Sequence, residues 1–461
     1  MKKRLFMFAT AALMLAACSN DGEVAVNDGA AQLQSGSGVV AFDTYTSSAT
    51  KAGYEGIMTT GVLKTEGFGV FAQYSDGSGS TDGKYSKDTN PVANFMWNQK
   101  VSYGDSWTYS PLKYWPNETD MDSQTRPATS DHTDKLSFFA YAPYVVQADG
   151  IYTGKLNGPT YSADPTKSDS KITANGGGLE AVISNTATGT DPWVRYAVAT
   201  DPSKSVDLLW GVAPAGGLQY TAVDGTDIDV AEGMPLINLI KPAKDQKIKF
   251  LFKHALARLG MTIVAAVDQV APGGTLAGDT KIYVESVQLD EVTATKQLKM
   301  KGALNLKNTS AGEALWEETS EDFAGLIVNK TGLLNPDILW DTDVATTVAA
   351  GATGVTTSEK DVIKDNTGKL HYFMVIPSHA DTDIKVTITY YVVTADPKVK
   401  DGYSVVKNVI RKAVTVSNLT NNKAYNLKLV LGLTSVKMEA EVADWQVDGS
   451  TEVYLPQNKA E

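Results

Sequence analysis

The chain has 461 residues, with 41 Lys or Arg against 53 Asp or Glu, so its formal net charge is −12 at pH 7. Such an acidic surface repels phosphate backbones, and nucleic acids are therefore excluded as expected partners. Hydrophobic residues make up 43% of the chain and charged residues 20%, as in folded globular proteins, while the single cysteine excludes an internal disulfide and a zinc site built from several cysteines.

The chain begins with the pattern of a secretory signal peptide, predicted over residues 1–17. Three basic residues precede the apolar run Leu5–Ala17, which is too short to span a bilayer as a helix. The run ends in Leu-Ala-Ala-Cys18, which resembles a bacterial lipobox and implies cleavage before Cys18 and acylation of that residue. A conventional signal with an incidental cysteine is the alternative. The small, polar residues 18–38 predict a flexible tether.

Three strands are predicted in the first half of the chain, at Val39–Tyr45, Gly67–Tyr74 and Leu136–Tyr144. Aromatic residues are dense between Trp107 and Tyr144. They fit either the core of a β-sandwich or a platform on which sugar rings stack, and the core interpretation is favoured because aromatic side chains bury large areas.

The middle of the chain carries the predicted domain boundary. Residues 241–246 form a polar linker, which divides the chain into an N-terminal β-sandwich domain at 39–244 and a C-terminal one at 245–461. The following segment, Lys247–Val267, begins as an alternating strand and changes phase around His254–Gly260. A β-bulge or a short irregular piece there is favoured over a short helix.

The second half shows the clearest alternation. Apolar or aromatic residues occupy every second position of Ile384–Val393, and Tyr403–Val416 is its predicted pairing partner. Two further strands are predicted at Tyr425–Leu433 and Val436–Val442. Short strands separated by turn residues, without helical patterns between them, indicate an all-β fold of antiparallel sandwiches.

Catalytic and metal-binding motifs are missing from the sequence. His254, His371 and His379 stand in no ligand or triad pattern, and the S-x-x-K spacing of Ser48 and Lys51 lacks its partner motifs. We therefore predict that the protein is not an enzyme and that it holds no cofactor or metal.

Several segments, in this order along the chain, resemble the fimbrillin family of Bacteroidetes, the type V pilins and their Mfa-like relatives. The segments are Tyr109–Pro116, Leu136–Tyr144, Asp207–Gly211, Phe250–Arg258 and Tyr425–Trp445. The resemblance implies two transthyretin-like antiparallel β-sandwich domains in tandem and a lipoprotein held at the outer membrane through Cys18.

The same resemblance implies a mode of assembly. In polymerising members of the family, a trypsin-like protease removes the first strand, commonly at Thr-Arg-Ala, and the next subunit donates a strand to the groove. The corresponding residues here are Thr50, Lys51 and Ala52, so the implied cut lies between Lys51 and Ala52 and requires a protease that accepts lysine. The implied donor is the segment Val453, Tyr454 and Leu455.

The expected function is that of a structural, tip or anchor subunit of a cell-surface fimbria, supporting adhesion to a ligand of unknown identity. Its expected partners are other fimbrial subunits, identical or paralogous, which bind by β-strand donation. A stand-alone surface lipoprotein that binds glycans is the alternative function.

Overall fold

The structure of the protein is a computed structural model. It describes residues 38–46, 57–75, 84–85, 93–116, 134–144, 178–180, 192–244, 246–266, 280–291, 298–307, 313–320, 325–432 and 436–444. Helix is confined to α1 (Thr60–Glu66), α2 (Val344–Ala349) and two single 3₁₀ turns within these ranges. The prediction of an all-β fold is confirmed, since nearly all other regular structure is strand.

The strands of the described residues are numbered here in chain order. They are β1 Phe42–Thr46, β2 Phe68–Ser75, β3 Met96–Tyr103, β4 Trp107–Thr108, β5 Lys135–Ala142, β6 Gly178–Glu180, β7 Trp193–Ala197, β8 Leu209–Val212, β9 Leu218–Thr221, β10 Asp227–Val230, β11 Leu236–Leu239, β12 Ile248–His254, β13 Ala257–Ala265, β14 Thr280–Glu291, β15 Lys301–Asn305, β16 Leu315–Ser320, β17 Leu326–Asn329, β18 Lys360–Asp361, β19 Phe373–Val375, β20 Thr382–Ala395, β21 Tyr403–Val416, β22 Lys423–Leu431 and β23 Val436–Asp444.

The largest sheet is formed mainly by the first half of the chain. Its strands follow the order β1-β12-β8-β5-β2-β3-β4, and β11 pairs with β5. The three strands predicted in this half are present as β1, β2 and β5. Their apolar side chains form a buried cluster rich in aromatic residues. β2 and β5 are buried on both faces, since Phe71, Phe139 and Tyr141 belong to a second buried cluster.

The segment Lys247–Val267 forms two strands in two different sheets. β12 pairs with β1 and β8, whereas β13 pairs with β18, β19 and β22. Of the predicted possibilities, a short irregular piece is present between His254 and Ala257, and the bulge and the helical alternative are wrong. The change of phase at Ala255 and Leu256 marks the point where the chain leaves one sheet and enters another, and both residues are fully buried.

The second half of the chain forms two sheets, ordered β17-β14-β20-β21 and β18-β13-β22-β23. The predicted pairing of β20 with β21 is confirmed from Thr382↔Val416 to Ala395↔Tyr403. Inward side chains of both sheets share one buried cluster, as in a β-sandwich.

A four-stranded sheet connects the two halves of the chain. Its order is β16-β15-β7-β6, so β7 of the first half pairs along its whole length with β15 of the second. The division at residues 244 and 245 stays a prediction, as does the transthyretin-like character of each domain.

Candidate functional site

The candidate site is the first-strand segment, defined as residues 38–46, together with the groove that holds it. Its strand β1 lies at the edge of the large sheet and pairs with β12 in parallel, from Phe42↔Ile248 to Thr46↔Phe252. Side chains at every second position, those of Val40, Phe42, Thr44 and Thr46, are buried. The segment therefore presents one face to the core, as a two-residue period dictates.

Phe42 is the main apolar anchor of this segment. Its side chain is 1% exposed and contacts four aromatic rings. The ring centroids lie 5.5–6.1 Å from those of Phe68, Tyr109, Phe138 and Phe250. Burial of one Phe side chain contributes about 1.5–3 kcal/mol, and edge-to-face contacts add to that value.

The beginning of the segment is held by the loop that follows β4. Val40 N donates to Lys113 O at 2.9 Å, and Trp115 N donates to Gly38 O at 2.8 Å. Because β4 and β1 stand at opposite ends of the strand order, residues 38–46 connect the two ends of the large sheet.

Tyr109 completes this end of the groove. Its hydroxyl donates to Val40 O at 2.7 Å and accepts from Lys113 N at 3.2 Å. Burial raises the pKa of Tyr109 to about 12, against a smaller lowering by the backbone contact with Lys113. The hydroxyl therefore stays protonated, and able to donate to the first-strand segment, throughout the physiological pH range.

The other end of the segment is fixed beside residues 47–56. The Thr46 and Thr60 hydroxyls lie 2.9 Å apart, and Thr46 N donates to Thr60 Oγ1 at 3.3 Å. Further along, Met58 N donates to Asp207 Oδ2 at 3.0 Å. The chain is thus anchored both before and after the span that contains the predicted cut.

Asp207 also closes a buried polar contact with the end of β12. His254 Nδ1 lies 2.8 Å from Asp207 Oδ2, and the two side chains are 2% and 0% exposed. The backbone oxygen of His254 accepts from Asn421 Nδ2 at 3.2 Å. His254 therefore has a structural role, linking the groove to the second half of the chain.

The floor of the groove needs a residue without a side chain. A Cβ at Gly211 would lie 2.8 Å from Phe250 Cδ1 and 3.0 Å from Ala140 Cβ. The first distance is shorter than real Cβ contacts, and the second is tighter than most of them. Glycine on β8 therefore allows Phe250 to reach the position where it stacks on Phe42.

All the site residues predicted from the sequence lie outside the described residues. They are the lipid-attachment residue Cys18, the cleavage pair Lys51 and Ala52, and the donor residues Val453, Tyr454 and Leu455. Their roles stay predictions. The structure instead describes the groove beside one of them, since Thr46 and Ile57 border the span that contains Lys51.

The residues that hold the first strand were not singled out one by one from the sequence. Tyr109, Asp207 and Gly211 nevertheless belong to the segments that carry the family resemblance. Those segments meet at the groove: Tyr109–Pro116 holds residues 38–40, and Phe250–Arg258 begins within the strand that pairs with β1. The ordered set of family motifs was thus the feature of the sequence from which the groove residues could have been found.

The aromatic residues of the first half form a core rather than a sugar-stacking platform. Trp107, Tyr109 and Trp115 are at most 9% exposed, whereas Tyr103 and Tyr114 are exposed, at 36% and 58%. Among the described residues, no three His, Cys, Asp or Glu side chains are grouped as metal ligands. No helix of those residues has the length and apolar character needed to cross a bilayer.

Solved structures show what this fold is similar to. A crystal structure of a fimbrial protein from Bacteroides vulgatus ATCC 8482 has a TM-score of 0.50 and 19% identity, covering 88% of this chain and 99% of its own.

Two further crystal structures are of proteins named as candidate cell adhesion proteins. The one from Bacteroides uniformis ATCC 8492 has a TM-score of 0.34 and 14% identity, over 88% of this chain and 98% of its own. The one from Bacteroides ovatus ATCC 8483 has a TM-score of 0.37 and 13% identity, over 89% and 99%. No protein-family profile and no curated protein matches the sequence. The chain has the fold of a Bacteroides fimbrial protein, in agreement with the fimbrillin resemblance of its sequence.

Proposed function

We propose that this protein is a structural subunit of a cell-surface fimbria that supports adhesion and that assembles by exchange of its first strand. The observation that carries the proposal is the first-strand segment. It contains an edge strand whose buried side chains pack in the core of the large sheet. Its covalent connection to the rest of the described fold runs through residues 47–56.

Assembly begins with cleavage between Lys51 and Ala52. The cut leaves residues 38–46 held only by non-covalent contacts, while Met58 keeps the new chain end beside the groove through its bond to Asp207. Loss of the segment exposes the edge of β12 and the aromatic floor around Phe250, which is costly in water until another strand replaces it.

The replacement is a strand from a neighbouring subunit, by β-augmentation. Val453, Tyr454 and Leu455 supply apolar anchors in the otherwise polar residues 448–461. Acylated Cys18 holds the precursor at the outer membrane until cleavage releases it. A subunit that keeps its first strand would serve as an anchor, since it offers no empty groove.

To test this proposal, the precursor is treated with trypsin. It carries Cys18→Ser, which removes the predicted lipid-attachment residue and keeps the protein soluble. SDS-resistant ladders and filaments are expected, and Lys51→Gln is expected to abolish both. Lys244→Gln, which changes an exposed lysine outside the first-strand segment, is the matched control and should leave them unchanged.

A second variant tests the donor. Leu455→Asp should permit cleavage and prevent ladders, since a charge cannot enter an apolar groove without cost. Ladders that form equally well with Lys51→Gln would refute assembly by strand exchange at this site. Clean cleavage of the unsubstituted chain without any ladder would instead favour the anchor role.

A further inference from the structure

The strand β21 presents an unusual edge. It is 14 residues long, and among the described residues its backbone pairs only with β20. Its first half exposes apolar side chains on both faces: Tyr403, Val405, Val406 and Val409 are 41–53% exposed. A long, exposed, apolar edge strand is a template on which another strand can pair.

The charge of β21 restricts which strand that can be. The strand carries Lys407, Arg411 and Lys412 and no acidic residue, in a chain whose net charge is −12. Lys407 pairs with Glu285 at 2.8 Å, and Arg411 and Lys412 continue the basic row along the exposed strand. Two β21 edges would repel each other, and the complementary partner is an acidic edge.

A second sheet edge, that of β10, carries acidic side chains. The short strand β10 pairs only with β9 among the described residues, and its sequence is Asp-Ile-Asp-Val. Asp227 and Asp229 are exposed and Ile228 and Val230 are half-buried, and Asp224 and Glu232 flank the strand. The β10 edge thus alternates acidic and apolar residues.

We infer that the β21 edge of one copy pairs with the β10 edge of a second copy. Because the two edges differ, the contact is head-to-tail, and repetition builds an open chain of subunits rather than a closed dimer. β10 has four residues, so the contact buries a small area and is weak, and association is expected at high protein concentration. The contact does not use the first-strand groove.

Cross-linking in the uncleavable Lys51→Gln chain tests this inference separately from the proposed function. Cys18, the only cysteine, is replaced by Ser. One population then carries Val406→Cys and another carries Val223→Cys, an exposed position in the turn before β10. A short bismaleimide is expected to give dimers from the mixture and from neither population alone. The control pair replaces Val406→Cys with Val348→Cys, on α2, where the side chain is 49% exposed against 53%.

Charge reversal in the same background provides the second measurement. Sedimentation should show self-association that weakens with salt, and that falls about tenfold or more with Arg411→Glu or with Asp229→Arg. An equimolar mixture of these two variants should associate again, since each supplies the edge that the other lost. Lys204→Glu, an exposed charge reversal elsewhere, should have no effect.

Three results would overturn the inference. They are dimers from the Val406→Cys population alone, equal cross-linking by the control pair, and no recovery of association in the mixture of Arg411→Glu and Asp229→Arg.

Discussion

Phe42 joins the edge strand β1 to the aromatic core of the large sheet. It is surrounded by four rings, of which three come from the first half of the chain and one, Phe250, from β12 beyond residue 244. The strand that carries Phe42 was predicted from the sequence. The identity of its neighbours was not, because rings distant in sequence meet only through sheet topology.

Phe42→Ala is expected to lower the free energy of unfolding of the uncleaved chain by about 3–5 kcal/mol, since it leaves a cavity among packed rings. Urea unfolding followed by tryptophan fluorescence measures the loss. Val348→Ala, on an exposed face, is the control and should change stability by less than about 0.5 kcal/mol. A loss equal to that of the control would mean that β1 is not packed as described.

Tyr109 gives the groove a pH dependence. Its pKa is about 12 when folded and about 10 when unfolded, so the native state holds the proton more tightly. The resulting stabilisation is complete below pH 10 and is lost as the pH rises towards 12. The loss is about 2–3 kcal/mol.

Unfolding measured at pH 9, 10 and 11 in the unsubstituted chain and in Tyr109→Phe isolates this contribution, because the other buried tyrosines remain in both. The variant should be less stable at pH 9, by about 1 kcal/mol for the lost hydrogen bond, and its stability should fall less steeply above pH 10. Parallel curves would contradict the prediction.

At the scale of elements, β8 shows how one glycine sets the position of a strand. Gly211→Ala forces Phe250 or Ala140 to move, and a loss of about 1–3 kcal/mol is expected from this overpacking. Gly104→Ala is the matched control, because a Cβ there meets nothing within 4 Å. Thermal unfolding of the two variants should separate them by several degrees; equal melting temperatures would count against the described packing.

The same scale shows what the sequence can and cannot predict. β20 and β21 were predicted together with their pairing, because both alternate with period two and a short loop joins them. The break between β12 and β13 was predicted as a bulge or a short irregular piece. The change of sheet was not predicted, because a change of phase looks alike whether a strand bulges or changes sheet. The parallel pairing of β1 with β12 joins residues about two hundred positions apart, and no local pattern specifies it.

At the scale of the whole molecule, the two halves of the chain share structure across residue 244. β12 lies beyond that position and pairs with β1 and β8, and β7 lies before it and pairs with β15. Side chains add to the contact, since Tyr196 packs against Trp316 and His254 Nδ1 lies 2.8 Å from Asp207 Oδ2. The two proposed domains therefore make extensive contacts with each other across the boundary at residue 244.

A cut at residue 244 is expected to leave the two fragments associated. Replacement of residues 243–246 by the recognition site of a specific protease allows the cut to be made in the folded protein. The fragments should co-elute in gel filtration and should unfold in one transition. They are expected to part only in denaturant, because separation would remove β12 from between β1 and β8 and expose the buried rings of Phe250 and Phe252. Fragments that separate in native buffer, each keeping its strand content by circular dichroism, would instead establish two independent domains. In that case the pairing of β7 with β15 would contribute little to stability.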